Sequence, residues 1–298
     1  MTRLTILHET RYDYALTVSF GVHRLLIQPR DSHSLRVIKA ALEVSPPGKL
    51  RWLYDSLGNC VCEFQPRGEA RYLTITSHLV IERFPAPLDG VATDDRSAAV
   101  PIVYDREDRT VIAPFMEPAT GDEDMTVLRW VRGLPRRPDE PALDFVLRIN
   151  QTIHGFRYEG RMAEGCQGPG ETISRGSGTC RDFAWLMVEA LRRLGFAARF
   201  VTGYIYCPAL DAANHGGPHM RGAGATHAWC EVFLPGLGWI EFDPTNGLAE
   251  SPDLIPVAVT RTPGQAAPVS GSVLGSSGES ILTVKVDVNL FKDFKAVA

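Results

Sequence analysis

Residues 180–194, CRDFAWLMVEALRRL, constrain the fold more than any other stretch of the chain. Phe183, Leu186, Met187, Ala190, Leu191 and Leu194 recur at helical spacing and form one continuous apolar stripe. Gly195 ends the run, as glycine does where a chain leaves a helix through left-handed backbone. Such a stripe stabilises a helix only when something covers it. Strand-like runs follow at about 198–206, 227–234 and 239–243, the last two joined by PGLG. The reading is α+β, with this helix packed on an antiparallel sheet.

The rest of the chain divides around that unit. Residues 1–85 read as a β-rich domain. In YLTITSHLVI, Leu73, Ile75 and Ser77 share one parity and Thr74, Thr76 and His78 the other, as in a sheet with one buried face. DSLGN (55–59) signals a hairpin turn. Residues 86–122 are rich in Pro, Gly and Asp and read as a connector. The core is expected over 123–262, with a helix over about 141–153 and a Gly-rich loop over 155–179. Residues 263–298 read as a Pro/Gly/Ser-rich tail followed by a strand. In that strand Leu282, Val284, Val286 and Val288 share a face, and the pattern leaves open which sheet it joins.

The chain of 298 residues, 44% hydrophobic, is long enough for two domains or one large one. With 31 basic and 35 acidic residues and no dense basic block, there is no electrostatic case for nucleic acid. No apolar run approaches the roughly 20 residues that span a bilayer. The N-terminus passes into strand-like alternation without a signal-type apolar region, so a cytoplasmic location is expected. Six cysteines are too sparse for a disulfide scaffold, and free thiols are the expectation.

One thiol stands apart. Thr179 and Asp182 have the spacing of a capping box, which makes Cys180 the first helical residue. Backbone N–H groups there favour a thiolate, and Arg181 adds positive charge. Cys60, Cys62, Cys166, Cys207 and Cys230 read as structural. A thiol nucleophile needs a base, and the base an orienting acceptor. His227, Trp229, Glu231 and Phe233 share one strand face, and Asp243 ends the next strand. A register with Phe233 opposite Trp239 puts Asp243 on the face of His227; a register with Leu234 opposite Trp239 does not. Phe233 opposite Trp239 is the expected register. Glu241 shares that parity and reads as a surface carboxylate.

GTCRDFAWLMVEALRRLGFAARFVTGYIY followed by THAWCEVFLPGLGWIEFDPTNG resembles the core of the bacterial transglutaminase-like superfamily. YDYALTV, HRLLIQPR, YDSLGN and YLTITS resemble that family's β-rich N-terminal domain. The resemblance implies a papain-like Cys-His-Asp arrangement at Cys180, His227 and Asp243. Two positions depart from the common pattern: Arg181 stands where many relatives have Gln, and Trp185 where many have His. The papain-like Gln six residues before the Cys is replaced by Ser174. That leaves the backbone N–H of Cys180 as first oxyanion donor and Tyr158 as a candidate support, alongside Thr179, Asp182 and Trp229.

The implied activity is cysteine-dependent acyl transfer on amide or peptide bonds through a thioester on Cys180, hydrolytic in preference to transamidating. A peptide or protein is the expected substrate. The competing reading is a non-enzymatic binding scaffold. His215 and His219 lie four apart near Cys207 and Cys230, but the Gly-rich loop lacks the helical geometry such a pair needs, so neither metal nor cofactor is expected.

Overall fold

The computed structural model describes residues 1–84, 101–123, 125–135, 137, 140–161, 165–211, 219–275 and 278–291. The chain opens on a 19-residue strand, β1 (Thr2–Phe20), then β2 (His23–Leu25), β3 (Leu35–Ser45), β4 (Gly48–Tyr54), β5 (Cys60–Pro66) and β6 (Glu69–Arg83). β1 pairs antiparallel with β6, and β6 with β3; β2, β5 and β4 form a second sheet. The alternation in β6 decides what lies between them. Leu73, Ile75 and Ser77 are buried while His78 is exposed. Phe20, Leu25, Cys62 and Phe64 meet Leu73 and Ile75 between the sheets. The DSLGN turn joins β4 to β5: the Asp55 carboxylate accepts N–H bonds from Leu57 (3.0 Å) and Asn59 (2.9 Å), and Gly58 takes φ +78°.

The segment read as a connector contains a helix, α1 (Arg106–Met116), capped by Asp105. Its charged first turn and internal Pro114 hide the period, but Ile112 and Phe115 are buried. Next come α2 (Thr126–Arg132) and α3 (Ala142–His154), the latter where the apolar spacing puts it. The stretch read as a loop over 155–179 is also structured. β7 (Arg157–Tyr158) and β8 (Ser177–Gly178) pair in parallel around α4 (Pro169–Arg175), elements too short to show a period.

α5 (Cys180–Arg193) follows at once. Phe183, Leu186, Met187, Ala190 and Leu191 are fully buried, each large side chain contributing about 1.5–3 kcal/mol. The polar face is buried as well, which the stripe alone does not suggest. The Arg192 guanidinium donates to the carbonyls of Phe115, Ala198 and Arg261, and Glu189 accepts the N–H groups of Ala119 and Thr120. These bonds wrap helix, connector and tail round α5. Trp185 belongs to this packing: it is 5% exposed, with the Arg192 guanidinium over its ring.

α5 lies on an antiparallel sheet of β9 (Ala198–Ile205), β10 (His227–Leu234), β11 (Gly238–Asp243), β12 (Leu248–Ala249) and β13 (Leu254–Thr260), in the order β12-β11-β10-β9-β13. The tail then crosses back. β14 (Val269–Ser270) pairs with β2, and β15 (Val273–Leu274) and β16 (Ser280–Leu290) pair with β1. The C-terminal strand thus joins the N-terminal sheet, running from Leu4 opposite Leu290 to Tyr14 opposite Ser280. Leu4, Ile6, Leu79, Ile81 and Val286 pack on Tyr204, Ile255 and Val257 of the core. Asn59 adds a polar lock, donating to the Val259 carbonyl and accepting its N–H, both at 2.8 Å.

Candidate active site

The site starts from one buried carboxylate. Asp182, in the first turn of α5, closes the capping box by accepting the Thr179 N–H (2.8 Å) and hydroxyl (2.9 Å). It also accepts the Gln167 N–H (2.7 Å), Gln167 Nε2 (3.0 Å) and Arg161 Nη2 (2.8 Å). A carboxylate with this many donors satisfies its lone pairs without water. It therefore fixes the helix start, Arg161 and Gln167 in one joint. Gly178 is required beside it, because a Cβ there would sit 2.9 Å from Asp182 Cβ. Gln167 is thereby committed to structure and is not a free donor.

Cys180 sits at the head of α5, 6% exposed, as the capping spacing implies. His227 and Asp243 come from the two strands facing it. Phe233 pairs with Trp239, the register that brings both to one face. His227 Nε2 donates to Asp243 Oδ2 at 2.8 Å, and neither side chain is exposed. His227 Nδ1 has no hydrogen-bond partner, and the Cys180 thiol lies near enough to the ring to favour its charged form. Burial opposes charging His227, but Asp243 and Cys180 outweigh it and raise the imidazole well above its ordinary value. Burial likewise opposes the Asp243 carboxylate, and His227, Asn246 and the Thr245 N–H lower it overall. The arrangement favours an imidazolium between a sulfur and a carboxylate.

Three supports were not read from the sequence. Asn246 donates to Asp243 Oδ2 (2.8 Å) and accepts the Arg221 N–H (2.8 Å), tying the Asp to the loop that approaches His227. Its signal was its place three residues after Asp243. Gly222, at φ +81°, lies where a Cβ would fall 2.8 Å from His227 Nδ1, so any side chain there would displace the ring. His154, on α3, bonds through Nδ1 to the Thr245 carbonyl (3.0 Å) and holds the turn after Asp243.

Tyr158 is half-buried, edge-on to Phe183, with burial and the nearby Cys180 pushing its hydroxyl up to about 12. Its hydroxyl lies near enough to Cys180 and Asp243 to feel their charge. Trp229 is wholly buried beside His227, its ring centroid 5.9 Å from the imidazole, and its Nε1 donates to Glu241 at 3.1 Å. Glu241 is therefore not a surface carboxylate: it is 8% exposed, because β12 covers the edge of β11 and the Trp229 N–H must be met inside. Among the other thiols, Cys60, Cys62, Cys207 and Cys230 are buried, and Cys166 borders the site with its thiol pushed up to about 12 by burial. His215 lies outside the described residues, and among those described no group of three or more His, Cys, Asp or Glu could hold a metal ion. No helix among them is long and apolar enough to cross a membrane.

A thiol heading a buried helix, facing a histidine and an aspartate on an antiparallel sheet, defines the transglutaminase-like class of cysteine enzymes. Residues 129–244 match the transglutaminase-like superfamily and residues 4–82 the bacterial transglutaminase-like N-terminal region. The chain belongs to the transglutaminase-like superfamily. An uncharacterized protein of Mycobacterium tuberculosis is 29% identical over 97% of this chain and 93% of its own. A solved structure of a cysteine-protease candidate from Cytophaga hutchinsonii shares the fold with a TM-score of 0.70 and 20% identity, over 98% of this chain and 91% of that one. A protein-glutamine gamma-glutamyltransferase of Pseudomonas aeruginosa is 38% identical over 73 residues, 24% of this chain and 10% of its own.

Proposed function

We propose that this chain is a cysteine-dependent acyl-transfer enzyme that hydrolyses amide or peptide bonds. The observation that carries the reading is His227: buried, bonded through Nε2 to Asp243, its Nδ1 left without a partner and the Cys180 thiol near enough to favour the charged ring. An imidazole held this way has one ring atom left for chemistry.

In this reading His227 holds the proton of Cys180, and the thiolate attacks the substrate carbonyl. The C–S bond forms as the carbonyl π pair moves to oxygen. That oxyanion is met by the Cys180 backbone N–H at the helix start, with the Tyr158 hydroxyl as second donor. His227 protonates the leaving amine as the C–N bond breaks, and a thioester remains on Cys180. Water, deprotonated by His227, then releases the acid and the thiol. Asp243 keeps the imidazole in the required tautomer and balances its charge. Thr179, Asp182 and Trp229 act through position: the first two set the helix start and the third backs the His227 ring.

Hydrolysis is favoured over transamidation by the resemblance to bacterial members in which crosslinking is not the general activity. The likeness to a protein-glutamine gamma-glutamyltransferase keeps transamidation as the second reading. Cys180→Ala should abolish release of amine from any amide substrate found by peptide-library screening. An added primary amine should change the product only under the transamidating reading. Full turnover by Cys180→Ala would sink the assignment.

A further inference from the structure

We infer that the cavity between the N-terminal sheet and the core is a specificity subsite that receives an uncharged apolar side chain of a peptide substrate. The inference rests on the acyl-transfer reading of Cys180, His227 and Asp243.

The cavity has a volume of about 560 Å³, with His227 in its wall. That size is typical of sites that enclose a small ligand or a few residues of a chain. One wall is a cross-strand ladder between β1 and β16. His8 lies opposite Val286, Thr10 opposite Val284, and Tyr12 opposite Leu282, so all share one sheet face. The ladder is filled at one end and open at the other. Val286 is 3% exposed and packs with Tyr204, and His8 Nδ1 bonds the Tyr204 hydroxyl at 2.9 Å. In the next two pairs on that same face, Val284 and Leu282 are each 39% exposed. The tail closes the far side with the segment from Pro263 to Val273. Two large aliphatic side chains left uncovered on an inward face, beside a buried imidazole facing a thiol, are where a substrate would complete the packing.

The charge of the walls narrows the occupant. Among the described residues no carboxylate lines the cavity, so a lysine or arginine side chain would enter without a counter-charge from them. Of the three imidazoles in its wall, His227 belongs to the reacting end, and burial favours the neutral form of the other two. His8 is satisfied by Tyr204 and by Thr10 (3.0 Å), and burial lowers it to about 4. His23 donates to the Gly21 carbonyl (3.0 Å), and burial lowers it too. Arg181, the one described cationic residue of the lining besides the histidines, follows Cys180 in the chain at the head of α5, whereas the floor of Leu282, Val284 and Tyr12 comes from β16 and β1. An acidic side chain on that floor would lose its water for no partner. Phenylalanine or leucine fits the surface and the charge.

The test uses capped dipeptide vinyl sulfones that differ in one side chain: Phe, Leu, Asp or Lys. The rate of Cys180 modification is followed by intact mass, with iodoacetamide as the measure of thiol reactivity alone. The Phe and Leu probes should react about tenfold faster, or more, than the Asp and Lys probes. Leu282→Asp and Val284→Asp should turn the ranking toward the Lys probe and leave the iodoacetamide rate unchanged. Ile281→Asp, on the outward face of the same strand and 67% exposed, should keep the wild-type ranking. Val284→Ala serves if the acidic variants do not fold; it should slow only the apolar probes. A flat ranking in the wild type, or one that neither position alters, overturns the subsite while leaving the acyl-transfer reading standing. A Cys180 that iodoacetamide modifies and no vinyl sulfone does overturns both.

Discussion

Asp243 and Glu241 stand two residues apart on the same face of β11, and both are less than one-tenth exposed. Their surroundings drive them in opposite directions. Asp243 accepts from His227, Asn246 and the Thr245 N–H, and is lowered overall despite its burial. Glu241 accepts from the neutral Trp229 N–H, has the Arg83 guanidinium at 3.7 Å, and feels the carboxylates of Glu231 and Glu250. Burial, with Glu231 next, pushes it up to about 8. Burial alone therefore does not decide ionisation; the number and charge of the donors do. At neutral pH one carboxylate holds charge against an imidazolium, and the other is largely a neutral acceptor steadying the indole behind it.

The sharpest way to break this contrast is to make the same chemical change at both positions. Asp243→Asn removes the charge that balances His227, and turnover should fall by about 10³–10⁴. Glu241→Gln retains an oxygen for the Trp229 N–H and should leave turnover close to wild type. The measurement is kcat for both variants on one substrate at neutral pH. Comparable losses at the two positions would mean that the face acts as a single network and that the contrast is false.

The second effect is on stability and has opposite signs at the two sites. The folded-state pKa of Glu241 is raised from an ordinary 4.5 to about 8. Its burial therefore costs nothing below about pH 4.5, progressively more up to about 8, and a constant amount above. Glu241→Gln should accordingly gain stability over wild type as pH rises through that window, by on the order of a few kcal/mol. Asp243 is depressed, so its contribution is present above an ordinary carboxylate pKa of 3.8 and lost as pH falls below it. The deficit of Asp243→Asn should shrink in acid, and shrink again as pH rises above an ordinary imidazole pKa of 6.5, because the stability that the raised His227 gives the wild type is lost there. Urea midpoints relative to wild type at pH 3, 4 and 5 read both trends: as pH rises over that acid arm the Asp243→Asn deficit should grow while Glu241→Gln loses nothing, and parallel curves there would contradict them.

These carboxylates also show where the sequence was readable. The capping spacing of Thr179 and Asp182 placed Cys180, and strand parity with the Phe233–Trp239 register placed Asp243, because each is a local rule with a short reach. Glu241 obeys the same parity, yet its burial depends on β12 and on Arg83, some 160 residues earlier in the chain. The same limit hid the five bonds to Asp182, the crossing of β16 to β1, and the role of Arg192 in burying the polar face of α5. α4 escaped for another reason: seven residues of mixed polarity carry no measurable period.

The smallest expected effect asks what raises Glu241. The Glu250 side chain accepts the Glu241 N–H at 2.6 Å while its charge opposes ionisation of the Glu241 carboxyl. Glu250→Gln keeps an oxygen for that bond and removes the charge. Burial is the leading cause, with Glu231 and Arg83 both outranking Glu250, so the change should be modest. The pH window over which Glu241→Gln gains on its Glu241 parent should move to lower pH in the Glu250→Gln background, with stability at neutral pH altered by less than about 1 kcal/mol. A window that does not move would assign the Glu241 shift to burial and Glu231. A window that collapses to the ordinary carboxylate range would make charge repulsion from Glu250 the dominant cause, and would reverse the order of effects argued for this end of β11.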